Sequence, residues 1–279
     1  MKRLLTIQDI SCVGQCSTTV ALPLISACGV ECAVLPPAIL SNHTAKGFSG
    51  WTFKDLTEEM SAIEKRWCQE GIKFDAFYTG YVCESHIEPI LSIVRNCSAE
   101  GVKRFVDPAM ADNGVLYAGF AEDFPSKMAK LVAGCDYVLP NLTEAALLVG
   151  EDPSAAGGHA GRVTLPMIER LIEGLHRLGA KNVVLTGVER GEDELGSAVS
   201  DGEKIEYDFN ARLPRMSHGT GDVYASVFAG AVLRGLTALE AAALAADIVC
   251  EAIEKTDEAH WYGVSFERAL PTLVERLKG

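Results

Sequence analysis

Positive charge is what this sequence has least of. Its 25 Lys and Arg stand against 38 Asp and Glu, leaving a formal net charge of −13. A nucleic-acid or acidic-membrane surface needs the opposite field, and no basic run supplies one locally. Long apolar runs are missing too, so no segment reads as a membrane-spanning helix. The start, MKRLLTIQDI, has two basic residues but no apolar stretch of leader length, and reads as a first strand. The nine cysteines are odd in number and scattered, which argues against a disulfide framework and for a reducing cytoplasm. Cys12/Cys16 and Cys28/Cys32 have a loose metal-like spacing, but no second Cys/His pair completes a zinc pattern. Two glycine-based phosphate signatures are also absent. There is no Gly-x-x-x-x-Gly-Lys-Ser/Thr, and Gln8-Asp9-Ile10-Ser11-Cys12-Val13-Gly14 is not the Gly-x-Gly-x-x-Gly of a dinucleotide site.

What remains is a chain with ample core. Hydrophobic residues make up 48% and charged residues 23% of 279. That length fits one α/β domain over residues 1–279. Short apolar runs alternate with amphipathic stretches. Strands are predicted at Arg3–Gln8, Cys32–Pro36, Phe74–Thr79, Arg104–Val106, Tyr137–Leu139 and Val183–Thr186. Helices are predicted at Thr18–Ala27, Phe53–Gln69, Glu84–Ala99, Leu142–Val149 and Leu165–Leu178. This βαβα order implies a mostly parallel sheet with helices on both faces. Gly196–Tyr207 reads as an antiparallel hairpin, and helices follow at Gly221–Arg234, Ala238–Lys255 and Phe266–Lys278. Ser154–Arg162 and Arg212–Ser217 read as mobile segments, the second as a cover for the site.

Ligands of open α/β sheets bind at the carboxyl ends of the strands, so the polar punctuation there marks the candidate site. Ser217-His218-Gly219-Thr220-Gly221-Asp222 opens a strongly apolar helix. Glycines at a helix start free backbone N–H groups for an anion, and the helix dipole favours negative charge. Asp222 would then accept a proton from an attacking hydroxyl, or it serves only to stabilise the helix start. In Pro140-Asn141-Leu142-Thr143-Glu144, Asn141 and Glu144 have capping-box spacing, and Glu144 suits water-bridged Mg²⁺ equally well. Asp107 and Asp112 share one loop, a hard-oxygen pair for a divalent or monovalent cation or simply an Asx turn. His218 reads as a loop residue; Trp51 and Trp261-Tyr262 read as packing or interface aromatics.

In this order, Asn141/Glu144, Thr186-Gly187 and Gly219-Thr220-Gly221-Asp222 resemble the ribokinase superfamily over essentially the whole chain. Thr6-Ile7-Gln8, Ser41-Asn42-His43-Thr44 and Gly80-Tyr81 are similar to motifs of its pyridoxal kinases. The resemblance implies a ribokinase-like fold without a separate lid domain, and an ATP-dependent kinase acting on a B6 vitamer. It implies Asp222 as base and Gly219, Thr220 and Gly221 as the anion hole. Glu144 would organise Mg²⁺ through water near Asn141, with Asp107 and Asp112 beside the phosphates and K⁺ as a further cation. Thr186 would contact ATP, and Asp9, His43, Thr44 and Tyr81 would line the vitamer pocket. A homodimer is expected on the same grounds. The rivals are hydroxymethylpyrimidine kinase, a sugar or nucleoside kinase, and a silent vitamer-binding protein. Three positions depart from the pattern: Asp9 replaces the usual Ser, Gly187 a small hydroxyl residue, and Ala111 a Gly. Asp9 would favour a cationic ring or an aminomethyl group, as in pyridoxamine.

Overall fold

The computed structural model describes residues 1–44, 47–156, 163–214 and 217–278. In chain order, β1 (Arg3–Ile7) and β2 (Ile10–Ser11) lead to α1 (Thr18–Ala27), β3 (Glu31–Leu35), β4 (Ala38–Leu40) and β5 (Phe53–Asp55). Then come α2 (Thr57–Glu70), β6 (Phe74–Thr79), α3 (Glu84–Cys97), β7 (Ser98–Val106), β8 (Ala111–Asp112) and β9 (Val115–Leu116). The middle holds α4 (Phe124–Val132), β10 (Tyr137–Val138), α5 (Leu142–Val149), α6 (Pro153–Ala156) and α7 (Leu165–Arg177). The chain closes with β11 (Asn182–Arg190), β12 (Glu194–Ser200), β13 (Ile205–Ala211), α8 (Thr220–Leu233), α9 (Ala238–Glu254) and α10 (Leu270–Arg276).

Eight strands form one sheet in the order β13-β12-β11-β10-β7-β6-β1-β3. Its pairs from β3 through β11 are parallel, and β12 and β13 add an antiparallel hairpin at one edge. Strand periodicity sorts the core onto two faces. Leu5, Phe77, Val106 and Val183 pack with Ile90 of α3, Met128 of α4 and Leu171 of α7. Their neighbours Leu4, Ala76, Phe105 and Val184 turn the other way, onto Val20 of α1, Phe228 of α8 and Ile248 of α9. The expected helix-covered, mostly parallel sheet is present.

Several boundaries differ from the sequence expectation. Phe53–Gln69 is not helical throughout, because Phe53, Lys54 and Asp55 pair with β4 and the helix starts only at Thr57. The Asp55 carboxylate accepts from the Thr57 N–H at 2.7 Å, which ends the strand and opens the helix. β7 begins at Ser98, so α3 stops before Ala99. The hairpin is longer than expected, since β11 runs to Arg190 with a bulge between Thr186 and Val188. Phe266–Lys278 divides into a short 3₁₀ turn and α10. β2, β4 and β5 make a small second sheet that continues from the ends of β1 and β3 and is no separate lid. Parts of the expected mobile segments, 157–162 and 215–216, lie outside the described residues.

Candidate active site

Ladder hydrogen bonds step across the carboxyl ends of the parallel strands and bring their last residues to one rim. Gly80 N–H donates to Ile7 O at 3.3 Å and Asp107 N–H to Thr79 O at 2.9 Å. Thr186 N–H donates to Pro140 O at 2.9 Å, and Thr186 bridges Asn141 across the sheet. A Cβ on Gly80 would lie 2.3 Å from Gln8 Oε1, so a larger residue at the end of β6 would push this side chain aside.

Four acids gather at this rim. Asp9 (3% exposed) and Glu144 (3%) are buried, Asp107 (8%) nearly so. Burial raises the carboxyl of Asp9 despite hydroxyl donors from Ser17 and Ser11, the latter at 2.9 Å. Asp107 is raised well above the ordinary range by burial, then by Glu144 and Asp222. Glu144 is pushed up to about 8, chiefly by burial. Asp222 is half-buried, open enough to be met from solvent and enclosed enough that burial raises it to about 7. The charge of Asp9 adds to that rise, and a Ser17 backbone N–H works against it.

Glu144 has a structural task as well. Asn141 Oδ1 accepts from Glu144 N–H and Glu144 Oε2 from Asn141 N–H, each at 2.9 Å, a complete capping box for α5. Glu144 Oε1 also accepts from Met110 N–H at 3.2 Å, while Asn141 Nδ2 donates to Ala111 O at 2.9 Å. The box thereby ties α5 to the Asp107–Asp112 loop. Asp112 itself is exposed, its carboxylate taken up by the backbone and side chain of Asn113.

The glycine-rich loop opens α8 as expected. Gly219 is the N-cap at φ 79°, and the first helical bond runs from Val223 N–H to Gly219 O at 3.1 Å. The N–H groups of Thr220, Gly221 and Asp222 therefore have no intrahelical acceptor, which leaves this candidate cradle free to meet an anion. A Cβ on Gly221 would meet nothing within 4 Å, whereas one on Gly219 would lie 2.0 Å from Gln15 O. His43 packs edge-on against His218 with centroids 5.6 Å apart, which joins the Ser41–Thr44 loop to the cradle. Burial pushes His43 down to about 4, so its ring is neutral, and its Nδ1 is buried without a partner among the described residues. Tyr81 lies against Phe120 at 5.3 Å and within electrostatic reach of Asp9. Thr44 is exposed at the end of its loop. Two surface hollows, one around His176 and one around Thr237, include none of these residues.

An alternating α/β sheet, a glycine-opened helix and buried acids at one rim are the parts of a phosphoryl-transfer site. The profile of the phosphomethylpyrimidine kinase family matches residues 25–264. The chain belongs to that family. A Bacteroides thetaiotaomicron protein, solved as a phosphomethylpyrimidine kinase in a form with pyridoxal, is 28% identical with a TM-score of 0.89, covering 98% of this chain and 95% of its own. Pyridoxal kinase from Lactobacillus plantarum is 29% identical with a TM-score of 0.87, covering 99% and 98%. Pyridoxal kinase PdxY of Leifsonia xyli is 27% identical over 247 residues, 83% of this chain and 81% of its own. The ribokinase-superfamily kinase expected from the sequence is borne out.

Three further neighbours of the site carry no signal in the sequence. Gln15 supports Gly219 and is itself held by Glu267 at 2.8–2.9 Å and by His260 at 2.5 Å. Tyr117 sits near all three acids of the far side, its hydroxyl raised by burial and then by Glu144, Asp112 and Asp107. Ser17 reaches both Asp9 and Asp222. None lies in a motif, and only folding brings them to the rim.

Proposed function

We propose that this chain transfers the γ-phosphoryl group of ATP to the 5′-hydroxymethyl oxygen of a vitamin B6 vitamer, with residues 1–279 acting as one kinase domain. The observation that carries the reading is Asp222, a carboxyl near pKa 7 at the mouth of an anion cradle. Such a group can take a proton at working pH. It would accept the hydroxyl proton as the oxygen bonds to the γ-phosphorus and the bond to ADP breaks. Gly219, Thr220 and Gly221 would hold the transferring oxygens on backbone N–H groups. Asp9, neutral His43, Thr44 and Tyr81 would contact the vitamer, and Asn141, Asp112 and Thr186 the nucleotide.

The acids fit Mg²⁺ held through water. Hard oxygens of Asp107 and Glu144 converge, and no donor among the described residues reaches the Asp107 carboxylate. Yet no group of three His, Cys, Asp or Glu among those residues can hold an ion directly. Bound Mg²⁺ would offset phosphate charge, and K⁺ beside Asp107 and Asp112 belongs to the same reading. Nine free cysteines support a reducing cytoplasm. Exposed Ile39, Trp51 and Phe53 around the small sheet support a homodimer, testable by light scattering. No helix among the described residues is long and apolar enough to cross a membrane, and the acidic surplus offers nucleic acid no footing.

The test is ADP release with MgATP and pyridoxal, pyridoxamine, pyridoxine, hydroxymethylpyrimidine or ribose. The expected outcome is turnover of a B6 vitamer that falls about 10²–10⁴-fold in Asp222→Asn. Undiminished turnover in that variant would remove the base. Asp9→Ser should lower the pyridoxamine-to-pyridoxal ratio of kcat/KM, and an unchanged ratio would end that part of the reading. Hydroxymethylpyrimidine is the second reading, favoured by the family profile itself.

A further inference from the structure

The segment Val13–Gln15 meets three separate parts of the molecule at close range. Val13 O accepts from His43 N–H at 2.8 Å, and a Cβ on Gly14 would lie 2.6 Å from His43 Cβ, so the segment lies against the Ser41–Thr44 loop. Gln15 O presses on the cradle, standing 2.0 Å from where a Gly219 Cβ would be. The third neighbour comes from near the chain end, where a Cβ on Gly263 would lie 2.6 Å from Gln15 Cβ. The Thr19 hydroxyl holds the same backbone from α1, sharing its proton between Gly14 O at 3.2 Å and Cys16 O at 2.8 Å.

The Gln15 side chain fits its surroundings in one orientation. Nε2 donates to both carboxylate oxygens of Glu267, at 2.9 and 2.8 Å, and Oε1 accepts from His260 Nε2 at 2.5 Å. A flipped amide would set its oxygen against the carboxylate and its NH₂ against the imidazole N–H. Glu267 itself is exposed, on the 3₁₀ turn Phe266–Arg268.

We infer that Gln15 and Glu267 are positioning residues for phosphoryl transfer, the Glu267–Gln15–His260 clamp holding Gln15 O against Gly219 so that the first N–H groups of α8 stay aimed. The inference rests on the reading of Gly219, Thr220 and Gly221 as the anion hole. Such a hole stabilises charge only when its donors are fixed beforehand, because donors that must turn lose the gain to reorganisation. A helix start with two glycines has little stiffness of its own, so its aim comes from what it packs on. Gln15 O supplies that support, and the clamp keeps it from backing away.

Steady-state kinetics with MgATP and pyridoxal, together with calorimetric titration, separate this role from plain packing. Gln15→Leu keeps the bulk of the side chain and loses both halves of the clamp. Its kcat should fall about tenfold, while the pyridoxal Kd, titrated without ATP, stays within about twofold. Glu267→Ala should lower kcat about threefold to tenfold, and Glu267→Gln, which keeps an acceptor for Nε2, should restore most of it. Gln15→Leu combined with Glu267→Ala should be no slower than Gln15→Leu alone, because both break one clamp. A lowered Tm with kcat unchanged well below it would make the clamp merely structural and overturn the inference. So would additive losses in the double variant, or a pyridoxal Kd that rises as far as kcat falls. Should Gln15→Leu fail to fold, the exposed position decides, and equal kcat in Glu267→Ala and Glu267→Gln overturns the inference. Gly219→Ala in the same assay tells the two failures apart. If that variant turns over normally, the anion-hole reading is wrong; if it is slow while Gln15→Leu is normal, only the role of the clamp is.

Discussion

At the scale of single residues, the cradle depends on how closely backbone meets backbone. Gly219 satisfies two demands, a left-handed φ and the approach of Gln15 O. Gln15 cannot retreat easily, because Glu267 and His260 hold its side chain and a Cβ on Gly263 would lie 2.6 Å from its Cβ. Gly219→Ala should therefore displace the cradle and lower kcat about 10²-fold, as loss of an anion-hole donor does. Vitamer affinity, measured by calorimetric titration without ATP, should change far less. A variant with normal kcat would mean that the loop tolerates the shift. The motif around Gly219 was legible in the sequence, while its support was not. Gln15 and Glu267 are 252 positions apart, and no local pattern connects them.

At the scale of elements, legibility followed length and period. β1 and β6 read clearly because alternate residues feed opposite faces of a buried sheet. β2, β8 and β9 span two residues each, too short to show any period. β5 was read as helix because Phe53-Lys54-Asp55 runs directly into helix-favouring Thr57–Glu70, and only pairing with β4 makes it a strand. The capping box of α5 was legible, and the structure shows what it carries, a tie from helix to the Asp107–Asp112 loop. Asn141→Ala removes the cap and the Asn141–Ala111 part of that tie, leaving the Met110–Glu144 bond in place. It should cost about 1 kcal/mol, lowering Tm by about 2–4 °C in a scanning calorimeter. The Mg²⁺ concentration for half-maximal ADP release should rise as well, because the Asp107–Asp112 loop loses the Asn141 Nδ2 donor to Ala111 O that holds it beside Glu144. A fall in Tm with unchanged Mg²⁺ dependence would confine Asn141 to helix capping.

Across the whole molecule, the gathered acids set how stability varies with pH. Glu144 at about 8 and Asp222 at about 7 hold protons in the folded state that an unfolded chain has already released near pH 4. Folded protein thus binds more protons than unfolded protein above pH 4, and stability must fall as pH rises through that range. His43, lowered to about 4, and His86, also lowered by burial, act in the opposite sense, since unfolding lets them take up protons. Their contribution ends near pH 6.5, the unfolded value, and surface acids with lowered values such as Asp75 act only below pH 4. The window from pH 6.5 to 8 is therefore left to the buried acids. Stability there should fall by at most about 1.4 kcal/mol per pH unit for each proton in difference. Urea melts at pH 6.5, 7.2 and 8 measure the slope, which Glu144→Gln should reduce because glutamine has no proton to lose. Mg²⁺ favours the ionised acids and should raise the midpoint more at pH 8 than at pH 6.5. A flat profile in both proteins would mean that the rim acids are already ionised in the folded chain, and Asp222, the proposed base, would then have an ordinary carboxylate pKa.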